Sequence, residues 1–199
     1  MKLLYKIKYL IDRLFLKKKI HKLGKKAYIR RKYIILGGKY ISIGDNVSIR
    51  EGASIQCFYK YADRILSPTL MIGNNVFINR YVSIICADSI TIGDNCYFGS
   101  FVTICDENHG TDPRSTECYG KQPLVTEAIC IGANCWIGDK STILRGVSIG
   151  PNSIVGAGSV VTKSIPNHSI VAGNPARVIK RWNDQKNTWE KINEEKCIR

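Results

Sequence analysis

Residues 131–162 read in sixes: IGANCW, IGDKST, ILRGVS, IGPNSI, VGAGSV, VT. A branched apolar residue opens each unit, at Ile131, Ile137, Ile143, Ile149, Val155 and Val161. The fifth place holds a small residue: Cys135, Ser141, Val147, Ser153 and Ser159. Glycine takes the second place at Gly132, Gly138, Gly150 and Gly156. A period of six is neither the 3.6 of a helix nor the alternation of a half-exposed strand. It is an internal repeat, and a repeat constrains the fold before any local propensity does.

The same phase starts at Ile43 (IGDNVS, IREGAS), resumes at Ile72 (INRYVS among its units), and restarts at Ile92. Two breaks interrupt it: Cys57–Leu70, with Tyr59, Tyr61, Asp63 and Pro68, and Asp106–Ala128, with Gly110, Pro113, Gly120 and Pro123. Loss of the phase marks the first as a loop, and the glycines and prolines of the second are turn formers. Each unit is then a short strand plus a corner, and three units close one triangular coil. Asn and Gly at the corners tolerate positive φ. A lone coil cannot bury its apolar face, so stability must come from stacked neighbours. The spacing predicts an all-β repeat over 41–166, with loop 106–128. Before it stands a segment, 1–40, of helix and linker. After it comes a tail, 167–199, with a short closing helix over Asn183–Lys196.

Met1–Lys26 reads as a basic amphipathic helix ended by Gly24. Leu3, Leu4, Ile7, Leu10, Ile11 and Leu14 recur at helical steps, and lysines dominate the rest. An anionic membrane surface is one partner for such a helix; its own domain or a neighbouring subunit is the other. The formal net charge of +14 suits anionic partners. No nucleic-acid module is recognisable, so no nucleic-acid partner is expected. Lysines interrupt the N-terminal apolar residues, leaving neither a signal-peptide core nor a membrane span. The eight cysteines form no CxxC pair. Cys96 and Cys135 fall in the small fifth place, as buried thiols of a reducing compartment would. The expected location is cytoplasmic, at the inner membrane face if the helix binds lipid.

Of three histidines, only His109, in CDENHG, lies inside the repeat, at the root of the longer excursion. Function tends to sit on such loops. An imidazole near neutral pH suits removal of a proton from an attacking hydroxyl. Asp106, Glu107 or a backbone carbonyl could orient its ring. A zinc site of three histidines from adjacent coils, as in γ-class carbonic anhydrases, is disfavoured by this count, and no metal is expected.

The succession INRYVSIICAD, CDENHG, CWIGDKSTI, GAGSVVTKSIP and AGNPARVIK resembles the hexapeptide-repeat O-acetyltransferases, over about residues 41–181. These include galactoside, maltose and surface-polysaccharide acetyltransferases. The resemblance implies a left-handed parallel β-helix, a homotrimer with active sites between subunits, and acetyl-CoA as co-substrate. It implies His109 as catalytic base, and Asn79 and Asp88 at the acceptor. For the coenzyme it implies Trp136, Ala157, Thr162, Lys163, Arg177 and Lys180. Asp139 departs from the serine of the galactoside enzymes and is left out of this set. The implied reaction is direct transfer of acetyl to a hydroxyl of a surface or capsular glycan or its precursor. An antibiotic-modifying transferase and a non-catalytic β-helical binding module are the alternatives.

Overall fold

The computed structural model describes residues 2–192, with side chains described from Leu10 onward. One helix, Lys2–Lys19, precedes a three-sided prism of parallel strands. The first face holds Lys22–Leu23, Ile41–Ile43, Thr69–Ile72, Ser89–Ile92, Ile129–Ile131 and Ser148–Ile149. The second begins with Tyr28–Ile29, Ser48–Ile49, Phe77–Ile78 and Tyr97–Phe98. It continues through Trp136–Ile137, Ile154–Val155 and Ser169–Gly173. The third holds Ile34–Leu36, Ser54–Cys57, Ser83–Cys86, Thr103–Cys105, Thr142–Ile143 and Val160–Val161.

The register stacks the unit heads. On the second face Ile29, Ile49, Ile78, Phe98, Ile137, Val155 and Val171 form one inward row. On the third, Ile35, Ile55, Ile84, Ile104, Ile143 and Val161 form another. Nearly all of these are fully buried. Each buried Ile contributes about 1.5–3 kcal/mol relative to exposure. The small fifth residues, such as Ala53, Cys96, Cys135 and Ser141, are buried beside them at the corners.

Between the first and second faces the chain turns with positive φ at Asn46, Asn75, Asn95, Asn134 and Asn152. Their side chains stack as well as turn. Asn46 Nδ2 donates to Asn75 Oδ1 and Asn75 Nδ2 to Asn95 Oδ1, both at 3.0 Å. Asn134 Nδ2 donates to Asn152 Oδ1 at 3.1 Å, and His168 Nε2 closes this ladder against Asn152 at 3.1 Å.

Two expectations are corrected. The helix stops at Lys19 rather than Lys26, because residues 22–36 form a coil of their own. Gly24 is a corner of that coil: a Cβ there would lie 2.2 Å from the Gly44 carbonyl. The closing helix is not formed by the described part of Asn183–Lys196. Ala176–Asn183 and Thr188–Lys191 make an antiparallel hairpin extending the second face, with Trp182 edge-on to Trp189 at 5.4 Å. Residues 193–196 of that expected helix lie outside the described residues. The hairpin covers the backbone edge that a final coil would otherwise present.

Ile137 is fully buried in the second-face row. Ile137→Ala is expected to cost about 2–5 kcal/mol. Ile137→Asp, burying a charge without a partner, should abolish cooperative unfolding. Calorimetry checks both; a soluble Asp variant that melts cooperatively would overturn this register.

Candidate active site

Both excursions leave the prism at the same corner, between the third and first faces. The shorter is a hairpin, with Lys60–Tyr61 paired to Arg64–Ile65. The longer is closed at its root, where Glu107 and Asn108 pair antiparallel with Thr126 and Val125. Glu127 N–H donates to the Asp106 carbonyl at 2.9 Å. Buried Gln122 braces the loop: its Oε1 accepts from Asp112 N–H at 3.0 Å and its Nε2 donates to Asp112 O at 3.1 Å. Gly110 is needed because a Cβ would lie 2.8 Å from that glutamine's side chain.

His109 follows this root directly and is exposed. Its Nδ1 lies 2.9 Å from the Tyr61 hydroxyl, and the rings are 5.6 Å apart. The same hydroxyl donates its proton to the Gly120 carbonyl. One hydroxyl has one proton, so Nδ1–H of His109 must be the donor to the Tyr61 oxygen. That tautomer leaves the Nε2 lone pair free. Tyr61 therefore ties the short excursion, the histidine and the turn Tyr119–Lys121 together. Spacing along the chain does not set Tyr61 apart from the other aromatics of the loop.

Neither acidic neighbour orients the ring. Asp106 is fully buried, and its carboxylate accepts from Ala87 N–H at 2.7 Å and Asp88 N–H at 3.0 Å. Burial raises its pKa above the usual carboxylate range; the two amide bonds oppose that shift without cancelling it. Its work is to fasten the corner bearing Asp88 to the corner bearing His109. Glu107 instead lies within 3.5 Å of the Cys105 thiol, and its Oε2 is buried without a hydrogen-bond partner. Burial also raises the Cys105 pKa, to about 11, which removes it as a ready nucleophile.

The remaining sequence-derived positions fall into two groups. Asp88, Thr162 and Lys163 share the corner of His109, in coils below and above it. Asn79, Trp136, Ala157, Arg177 and Lys180 belong to the second face or its far edge. Trp136 is 52% exposed and lines up with Tyr97, which stacks on Phe77 at 4.9 Å. Above Trp136 come Ile154, Ile170 and Lys180 in one outward row. A register shift opposite Ile170 and Val171 brings Arg177 outward as well, paired with Ala172. Without it, residues three apart on a strand would face opposite sides. Trp136 and Lys180 are three strand spacings apart, roughly 14 Å. Gly138 stacks under Ala157, 2.6 Å from its amide nitrogen by the position of a would-be Cβ. Asp139 takes a corner role, accepting from Ser100 N–H. Among the described residues no group of three or more His, Cys, Asp or Glu could hold a metal ion.

The parallel three-sided prism has the architecture typical of the left-handed parallel β-helix, a fold built from repeats. Residues 131–163 match the family model described as bacterial transferase hexapeptide (six repeats). The chain is 35% identical over 157 residues to a putative lipopolysaccharide biosynthesis O-acetyl transferase, WbbJ, of Escherichia coli (strain K12), covering 76% of each. It is 32% identical over 157 residues to the galactoside O-acetyltransferase of the same organism, covering 79% of this chain and 71% of that one. A solved hexapeptide-repeat acetyltransferase of Vibrio cholerae, complexed with acetyl coenzyme A, superposes with a TM-score of 0.61. It is 25% identical, with 86% of this chain and 76% of that one covered. The chain belongs to the hexapeptide-repeat acetyltransferase family. It is an acyltransferase that depends on acetyl-CoA or CoA.

Asp106→Ala would leave two inward-facing amides without acceptors. It is expected to lower stability by about 2–4 kcal/mol, read as a shifted denaturation midpoint. A neutral effect would mean that the corner does not depend on this carboxylate.

Proposed function

We propose that this enzyme moves an acetyl group directly from acetyl-CoA to a sugar hydroxyl on a surface glycan or its precursor, with His109 as general base. The observation that carries this reading is the Tyr61–His109 contact, which holds Nδ1 and leaves Nε2 free. The acceptor hydroxyl attacks the thioester carbonyl while Nε2 takes its proton. The tetrahedral intermediate collapses by breaking the C–S bond, and the proton on Nε2 passes to the departing CoA thiolate. No covalent acyl-enzyme is required. A glycan acceptor is supported by the two E. coli relatives, a lipopolysaccharide O-acetyl transferase and a galactoside O-acetyltransferase. Asn79 and Asp88 are assigned to that acceptor.

In this reading Trp136 lies against the pantetheine arm and Ala157 at its edge. Arg177 and Lys180, in the same outward face, meet the coenzyme phosphates, and Thr162 and Lys163 complete the contacts from their corner. The His109 corner is opposite the second face of the prism, so one chain cannot bring the two groups together. A homotrimer, with each active site between His109 of one chain and Trp136 of the next, resolves this. A cytoplasmic setting fits the free cysteines among the described residues.

A turnover screen with acetyl-CoA over sugars, amino sugars and antibiotics identifies the acceptor. On the best acceptor, His109→Ala should lower kcat by about 10²–10⁴-fold. Tyr61→Phe keeps the ring and loses the hydroxyl; it should lower kcat about ten-fold with KM for acetyl-CoA little changed. Turnover equal to wild type in His109→Ala would overturn the mechanism. The shared site has its own test. Refolding His109→Ala and Trp136→Ala chains together should restore about a quarter of the sites, by random assortment into closed rings. Activity no greater than the sum of the separate variants would rule out sharing.

A further inference from the structure

From Leu10 onward the N-terminal helix presents two apolar stripes, and one of them is buried against the fold. Leu16 and Ile20 are buried against the first coil. On the same side Arg13 donates through Nη2 to Gly24 O at 2.6 Å and through Nε to Ala27 O at 3.3 Å. Arg31 forks onto the Asp12 carboxylate at 2.8–3.1 Å. These contacts fix the helix as a cover for the open end of the prism. At about 100° per residue, Leu10, Ile11, Leu14 and Phe15 lie on the opposite side, about 180° away. They are bare: Leu10 is 57% exposed, Ile11 45%, Leu14 62% and Phe15 61%. Lys18 continues this stripe one turn beyond Leu14, with Lys17 on one flank and Lys19 on the other, all exposed.

Charge separates the candidate occupants of this stripe. Residues 1–39 hold fourteen Lys and Arg against one Asp, so nearly all of the chain's net charge of +14 lies at this end. A second copy packed stripe to stripe would bring two such ends together, with their lysines in register. A neutral apolar partner would leave the charge without a counterpart. An anionic bilayer surface satisfies both features: leucine and phenylalanine enter the acyl boundary, and lysines meet the headgroups at the same level. The long lysine stems can lie along the apolar band while their ammonium groups remain among phosphates. The orientation is fixed as well, because the packed stripe holds the helix axis across the end of the prism.

We propose that the N-terminal helix docks this protein peripherally on an anionic membrane surface, through Leu10, Ile11, Leu14 and Phe15 framed by Lys17, Lys18 and Lys19. No helix among the described residues is long and apolar enough to cross a membrane, so attachment would be along the interface.

The test uses the full chain and vesicles of phosphatidylcholine, alone or with about 30% phosphatidylglycerol. Co-sedimentation should be at least about ten-fold stronger with the anionic vesicles and weaken at about 0.5 M salt. The double variant Leu14→Asp/Phe15→Asp should lose about ten-fold or more of that binding, with melting temperature and light-scattering mass unchanged. Three results would overturn the proposal. The wild type could ignore anionic vesicles. The double variant could bind them as the wild type does, leaving charge alone at work. Its mass could fall, showing that a second copy covers the stripe.

Discussion

An isoleucine at the head of a six-residue unit finds its burial only in the coils above and below. Ile137 touches an interior closed by Phe98 beneath and Val155 above, and the same holds along every inward row. Most other features of the prism follow from keeping these rows unbroken. Strands must stay short and in register, so insertions are admitted only at corners. Corners must turn sharply, so asparagine and glycine occupy them with positive φ. The outward residues carry no such duty, which leaves positions such as Tyr97, Trp136 and Lys180 free for other roles.

That restriction also explains how His109 can be held in place on a loop. Both excursions leave the corner between the third and first faces, from coils two apart. The short hairpin therefore stands below the long excursion and Tyr61 reaches up to His109. The scaffold supplies the vertical distance and the hydroxyl supplies the tautomer. Asp106 does a different job one residue past the strand. Its buried carboxylate spends two hydrogen bonds on backbone amides of the coil below, so the excursion starts from a fastened point. Neither of the two acids just before the histidine bonds to its ring, and the residue that does is 48 positions away.

The inward rows were legible wherever the outward residues were unremarkable, as at 131–161. At 23–35 the same phase is present: Leu23, Gly24, small Ala27 and Ile29 occupy the expected places. Lysines and arginines on the outward positions imitate a basic helix there, and they hid the first coil. The terminal hairpin is hidden in the sequence for a related reason. Once the interior ends, strands no longer need a period of six, and Ala176–Asn183 alternates exposed and half-buried residues instead. Tyr61 was illegible because its partner depends on where two excursions meet, which spacing along the chain does not encode. The common direction of Arg177 and Lys180 depends on one extra residue in a strand, and a register shift leaves no mark in composition.

The prism also bears on how a site could be completed. In a three-sided cross-section each corner faces the middle of the opposite side. His109 and Asp88 stand at one corner; Trp136 and Lys180 stand on the side opposite, with the packed isoleucine interior between them. No loop motion closes that gap, because the interior rows cannot open without losing the burial that sustains the fold. Phe77, Tyr97 and Trp136 meanwhile present aromatic surface outward on that same side, in rows that the stacked strands hold rigid. If His109 and the Trp136 face act on one substrate pair, as proposed above, the site would be complete only beside another copy of the chain. A closed three-fold ring, the assembly proposed above, would supply this with one repeated contact.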